Sequence, residues 1–323
     1  MERRALGRSG LDVPVLGFGC GGSARLMVSE DRMAQTTAIR SALELGIDYF
    51  DTAPAYGDGR SETNLGAALA GLGSPPVTIS TKVVLGEEDL GRPRDAVLRS
   101  FDASLHRLRR DRVDMLLMHN RVAGERPVGR RIGVGPVLGL ADVVDPGGVL
   151  DGFRELLDSG AIRACGITAF GGEPAAISEV LRTGVPSVIN AAFSLIEPTA
   201  ALAVAPPGGG DDHGQVIPLA ASLGVGVIAI RVFGSGRLLL PSDDPVTVSV
   251  QDLAAGLGGG DAHRGALGFV LATPGVDTAV IGFSEAGHVH AAVDAIRAGT
   301  PAAGALDEVT ARLAAIGSGP AAG

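Results

Sequence analysis

The sequence has no tryptophan, two tyrosines, two cysteines and a single lysine among its 27 basic residues. Cys20 and Cys165 can form at most one bridge, and both sit in apolar stretches that read as strands. This argues against a disulfide scaffold or a zinc site and predicts reduced, buried thiols. Long hydrophobic runs are also missing. None approaches the ~18–20 uncharged residues of a membrane span, and the opening MERRALGRSG lacks the apolar stretch of a signal peptide. A soluble cytoplasmic protein with no membrane partner is expected. Nor is there an excess of positive charge: a formal net charge of −9 argues against nucleic acid as a partner, because phosphate binding needs a basic face. What is present is apolar, 46% hydrophobic against 20% charged over 323 residues, which excludes a disordered chain and suffices to bury a core.

The lone lysine is informative. The other 26 basic residues are arginine, in a composition dominated by Ala, Gly, Val and Arg. Such a bias replaces lysine wherever a permanently charged fork serves equally well, and Lys82 was kept. Lysine differs in being a compact donor whose pKa can be shifted, which makes Lys82 a candidate site residue.

Eight short apolar, β-branched runs recur along the chain, at 13–20, 47–53, 76–83, 113–120, 162–168, 187–194, 226–233 and 278–284. Each is continuous rather than alternating, as expected of parallel strands covered by helices. Helical spacing fills 31–45, 60–70, 93–109, 149–159, 173–183, 215–223, 261–272, 285–298 and 305–315. The pattern predicts one α/β domain over 1–323, a (β/α)8 TIM barrel, with a mobile tail at 316–323. The glycine-rich segments 206–214 and 256–261 read as loops, and the longest loops, 121–148 and 234–260, follow strands four and seven at the C-terminal mouth. Gly17, Gly19 and Gly22 also fit the spacing GxGxxG of a doubly wound dinucleotide-binding fold. No helical pattern opens at Gly22, however, and the candidate acid, Asp51, is 29 residues further on rather than about 20.

Polar residues end successive strands. Asp51 closes strand two, with Tyr56 in the loop after it, Lys82 closes strand three and His119 strand four. Neighbouring barrel strands are about 4.8 Å apart, so these groups converge at one mouth. Asp51 is expected to hold Lys82 charged, and Lys82 to lower the Tyr56 pKa towards that of a usable general acid or base. Alone, each has an ordinary reading as a helix cap, a core histidine or a surface tyrosine; it is their coincidence at successive strand ends that packing does not explain.

The stretches LGRSGLDVPVLGFGC, ALELGIDYFDTAPAYGDGRSETNLGAAL, ISTKV, DMLLMHN, GAIRACGIT and GVGVIAIRVFGSGRL resemble the aldo-keto reductases, in order and across essentially the whole chain. The resemblance implies a short N-terminal hairpin around residues 2–12. It also implies reduction of carbonyls with NADP(H), or NAD(H), by a tetrad falling on Tyr56, Lys82, Asp51 and His119. At the cofactor site it implies Thr168 and Ala169 where Ser-Asn is usual, and Asn190 where glutamine holds the carboxamide. Ile230 or Arg231 stands in place of a stacking tyrosine. Gly234, Ser235, Gly236 and Leu238 wrap the pyrophosphate, and Gly282, Phe283 and Ser284 meet the adenosine phosphate. His288 stands in place of an arginine, and Ala291 and Ala292 in place of Glu-Asn. Arg231, Arg237 or Arg264 is then left to supply a 2′-phosphate cation.

These departures keep two alternatives open, a cofactor-binding regulatory protein without turnover and a redox-neutral proton-transfer or dehydration enzyme. The scarcity of aromatics, 3% of residues, leans towards a sugar-like carbonyl or alcohol substrate, which Arg121, Arg126, Arg130 and Arg131 would help attract. Nothing in the pattern reports oligomeric state.

Overall fold

The computed structural model describes residues 1–127, 134–299 and 303–317. Eight parallel strands form a closed barrel: β1 (Leu16–Gly19), β2 (Tyr49–Asp51), β3 (Thr78–Val83), β4 (Met115–Met118), β5 (Ala164–Thr168), β6 (Val188–Ala192), β7 (Gly226–Ile230) and β8 (Thr278–Gly282). β8 pairs back onto β1, with Ala279 opposite Leu16. Every strand lies inside one of the eight apolar runs, because both of its faces are covered.

The barrel helices are α1 (Arg32–Glu44), α2 (Arg60–Gly71), α3 (Pro93–Leu108), α4 (Val149–Asp158), α5 (Pro174–Arg182), α6 (Val216–Ser222), α7 (Ala262–Ala272) and α8 (Ala286–Arg297). Local chemistry sets their starts. The Asp31 carboxylate accepts from the Ala34 N–H, Asp261 caps α7 through His263 and Arg264, and Pro93 opens α3. Arg3–Ala5 and Asp12–Pro14 pair as an antiparallel hairpin. Its Leu6, Leu11 and Val13 pack with Met115, Ala164 and Val188, near the N-terminal ends of β4, β5 and β6, closing the barrel opposite the mouth.

The two long connections contain more structure than expected. The segment after β4 holds a two-stranded ribbon, Val122–Ala123 with Leu138–Gly139, and a short helix, Leu140–Val144. The segment after β7 is corrected from a loop to a helix, Pro245–Leu257. Its opening VTVSV has poor helix propensity, yet Asp244 caps Thr247 and Pro245 starts the helix. The final helix runs Ala303–Gly317, beyond the expected 305–315; the rest of the expected tail, from 318, and Arg130 and Arg131 lie outside the described residues.

The closed barrel rules out the doubly wound alternative, and Gly17 shows what its glycine is for. A Cβ there would lie 2.6 Å from the Tyr49 ring, so Gly17 lets that ring cross the barrel interior.

A buried acid ties β3 to its helices. Glu62 on α2 accepts from the Thr81 hydroxyl (2.5 Å) and from Arg107 Nε of α3 (2.6 Å), with no exposed surface of its own. Glu62→Ala strands both donors, and urea unfolding is expected to show a loss of about 3 kcal/mol.

Candidate active site

Side chains alternate along a strand, so Tyr49 and Asp51 of β2 share a face, as do Ser80 and Lys82 of β3. Register places Asp51 beside Ser80 and Lys82 beside Leu117. Tyr56 arrives on a turn after β2, its N–H donating to Ala53 O at 3.1 Å, and His119 follows the last residue of β4. All four expected residues meet.

Lys82 Nζ donates to Asp51 Oδ2 at 2.7 Å, to the Thr52 carbonyl at 2.9 Å and to Tyr56 Oη at 3.2 Å. An ammonium has three protons, and these three acceptors use them all. Tyr56 Oη therefore accepts from Lys82, leaving the phenol's own proton to be donated elsewhere. The Tyr56 and His119 rings meet edge to face with centroids 5.6 Å apart. Lys82 is 1% exposed, Asp51 3% and His119 9%.

Burial lowers the affinity of Lys82 for its proton, but the charge of Asp51, then Tyr56, outweighs burial and holds the ammonium above its ordinary range. His119 is pushed down to about 3, by burial first and by the Lys82 charge second, so its imidazole is neutral. Tyr56 departs from expectation. Lys82 does pull the phenol down, yet burial pushes harder and its pKa ends above the usual tyrosine value. The arrangement thus presents a protonated phenol at neutral pH, with an ammonium already in place for the phenolate that proton loss would leave. The thiols take no part: burial pushes Cys165 up to about 12 and Cys20 further. Among the described residues no cluster of His, Cys, Asp or Glu is arranged to hold a metal ion.

The four groups line a mouth cavity of about 500 Å³, which continues past Thr168, Ile230, Ser235, Gly236, Gly282 and Ser284. Arg121 and Arg231 also reach it, their guanidiniums 5.2 and 4.3 Å from the centre of the Phe170 ring, with Arg231 also paired to Glu197 at 3.4 Å. Arg231 has φ +57°, a left-handed conformation unusual outside glycine.

The cofactor candidates divide. Thr168 Oγ1 and both side-chain polar atoms of Asn190 are buried without hydrogen-bond partners, on register neighbours of β5 and β6. A hydroxyl beside a primary amide is complementary to a carboxamide, so these residues fit the nicotinamide end of a dinucleotide. In the turn after β7, the N–H groups of Gly234, Gly236 and Leu238 donate to Arg231 O and Phe233 O. Ser235, whose backbone is left-handed, and Gly236 line the cavity from that turn. Leu238 is buried, and Phe283 packs on Phe18 at 4.8 Å between centroids. His288 is exposed on α8 beside Glu285, Arg237 reaches Thr247 and Arg264 reaches the Ala298 carbonyl.

The aldo/keto reductase family model matches residues 15–303. The chain belongs to this family. Among similar members, L-galactose dehydrogenase of Arabidopsis thaliana is 40% identical over 37% of this chain and 38% of its own length. Pyridoxal 4-dehydrogenase of Microbacterium luteolum is 28% identical over 74% and 73%, and D-threo-aldose 1-dehydrogenase of a Pseudomonas species is 26% identical over 72% and 70%. The holo form of aldo-keto reductase AKR11C1 from Bacillus halodurans superposes with a TM-score of 0.75, at 25% identity over 97% of this chain and 96% of that one. Family membership supports an oxidoreductase that uses a nicotinamide cofactor on small carbonyl compounds. No helix among the described residues is long and apolar enough to cross a membrane.

Sequence reasoning missed Ser80, Phe170 and Glu197. Register pairing exposes Ser80 as the neighbour of Asp51, and no sequence signal marks the other two.

Proposed function

We propose that this aldo/keto reductase interconverts a carbonyl and an alcohol with NADP(H), Tyr56 acting as the general acid for reduction and the general base for oxidation. One observation carries the reading: Lys82 gives its three protons to Asp51, Thr52 and Tyr56, leaving the phenol's proton for the substrate. Thr168 and Asn190 would hold the nicotinamide carboxamide, and Ser235, Gly282 and Ser284 the phosphates. When bound, the nicotinamide exchanges a hydride with the carbonyl carbon. Tyr56 protonates the oxygen as its charge develops, Lys82 stabilises the phenolate that remains, and neutral His119 donates a hydrogen bond to the same oxygen. Solvent returns the proton to Tyr56.

The polar wall of Arg121 and Arg231, and the similarity to L-galactose dehydrogenase and D-threo-aldose 1-dehydrogenase, support a hydroxyl-rich carbonyl or its cyclic hydroxyl form as substrate. Fluorescence titration with NADPH and NADH, followed by absorbance assays on aldoses and apolar aldehydes, tests this. Turnover with NADPH and aldoses is expected. Binding without turnover would favour a regulatory protein, and product formation without cofactor oxidation a redox-neutral enzyme.

The protonation states of His119 and Tyr56 set the pH dependence. With His119 neutral and the phenol raised, kcat/KM for reduction should stay flat from pH 6 to 9, with no inflection near the histidine value of about 6.5, and fall only above about pH 10 as Tyr56 loses its proton. A stopped pH series with one aldehyde checks it.

A further inference from the structure

The hydrogen bonds do not stop at Asp51. Its second oxygen, Oδ1, accepts from the Ser80 hydroxyl at 2.7 Å, and Ser80 Oγ lies 3.0 Å from Tyr49 Oη. Ser80 has one hydroxyl proton and gives it to the carboxylate, so the bond from Tyr49 has one possible direction: Tyr49 donates to Ser80. The result is a single line, Tyr49 to Ser80 to Asp51 to Lys82 to Tyr56. It contains the only lysine and both tyrosines of the chain.

Packing accounts for the Tyr49 ring but not for its hydroxyl. The ring is fully buried against Gly17 and Val280 and sits in the apolar cluster above the N-terminal hairpin, where phenylalanine would fill the same space. A hydroxyl brought into such a site costs stability unless it is bonded, and its one partner here leads to the carboxylate.

We propose that Tyr49 and Ser80 are positioning residues for the proton-transfer group. By holding Asp51 Oδ1, they fix the carboxylate so that Oδ2 faces Lys82, and Lys82 in turn faces Tyr56. The inference rests on the reductase reading for its kinetic consequences but has a second readout that does not. The charged groups that bear on the line are Asp51 and Lys82 themselves.

The test uses Tyr49→Phe, Ser80→Ala, Ser80→Thr and the double variant Tyr49→Phe/Ser80→Ala in the full chain. Ser80→Ala should lower kcat for carbonyl reduction about tenfold and Tyr49→Phe about threefold, with NADPH affinity and substrate KM within twofold of the parent. Ser80→Thr should restore kcat. Because the line is linear, Tyr49→Phe should add nothing once Ser80 is alanine. In parallel, protein labelled with ¹³C-lysine gives one side-chain signal, from Lys82, in every variant. That signal should shift in Ser80→Ala and Tyr49→Phe and return in Ser80→Thr. Unchanged kcat and an unchanged lysine signal in both single variants would overturn the proposal, as would multiplicative losses in the double variant. If the parent reduces no carbonyl, the proposed function fails, and the lysine signal alone still decides whether the two hydroxyls position Asp51 and Lys82.

Discussion

Tyr56→Phe is expected to lower kcat for carbonyl reduction by about 10³-fold while leaving NADPH affinity within twofold. Because Lys82 donates all three of its own protons, the phenol accepts one of them and keeps its own for the substrate. His119 cannot replace it, because an imidazole held near pKa 3 is a poor source of protons at neutrality. The ring edge against His119 and the wall of the cavity survive the change, so binding should persist. Single-turnover absorbance of bound NADPH, together with fluorescence titration, separates the two effects. A variant that keeps more than a tenth of the parent rate would move the acid role to another group.

Lys82→Met is the second large effect, and it acts on stability as well as rate. Removing the ammonium leaves Asp51, 3% exposed, as a buried charge supported by Ser80 alone. A lone buried carboxylate of this kind costs about 3–5 kcal/mol, measurable as a lower urea midpoint. Reduction should fall at least 10²-fold, since the phenolate left by proton transfer then faces Asp51 without a cation. Lys82→Met combined with Asp51→Asn removes both charges and should recover at least half of the lost stability while recovering none of the rate. That split distinguishes a pair kept for chemistry from one kept for folding. Recovery of rate in the double variant would contradict the assignment.

The barrel was legible because parallel strands buried on both faces must be apolar throughout, so eight runs such as VDMLLMHN mark eight strands with little ambiguity. Helix Pro245–Leu257 was not, because its β-branched opening has poor helix propensity and packing against α7 decides the outcome. At the site, the rarity of lysine singled out Lys82, strand ends supplied Asp51 and His119, and the loop after strand two supplied Tyr56. The direction of the Tyr56 shift was misjudged: one favourable charge can be inferred from spacing, whereas the larger penalty of desolvating the phenol depends on how closely the folded mouth surrounds it. The turn after β7 shows the same limit, since sequence marks a glycine-rich loop but does not say which of its N–H groups the turn itself uses.

Lys82 is a buried ammonium held between Asp51 and Tyr56. Since the chain has one lysine, ¹³C-lysine labelling and a pH titration by NMR read that group without assignment. A single signal is expected that remains in the ammonium form beyond the ordinary lysine value of about 10.4 and that moves in Asp51→Asn and Tyr56→Phe. A signal that titrates as an exposed lysine does, and is indifferent to both substitutions, would contradict it.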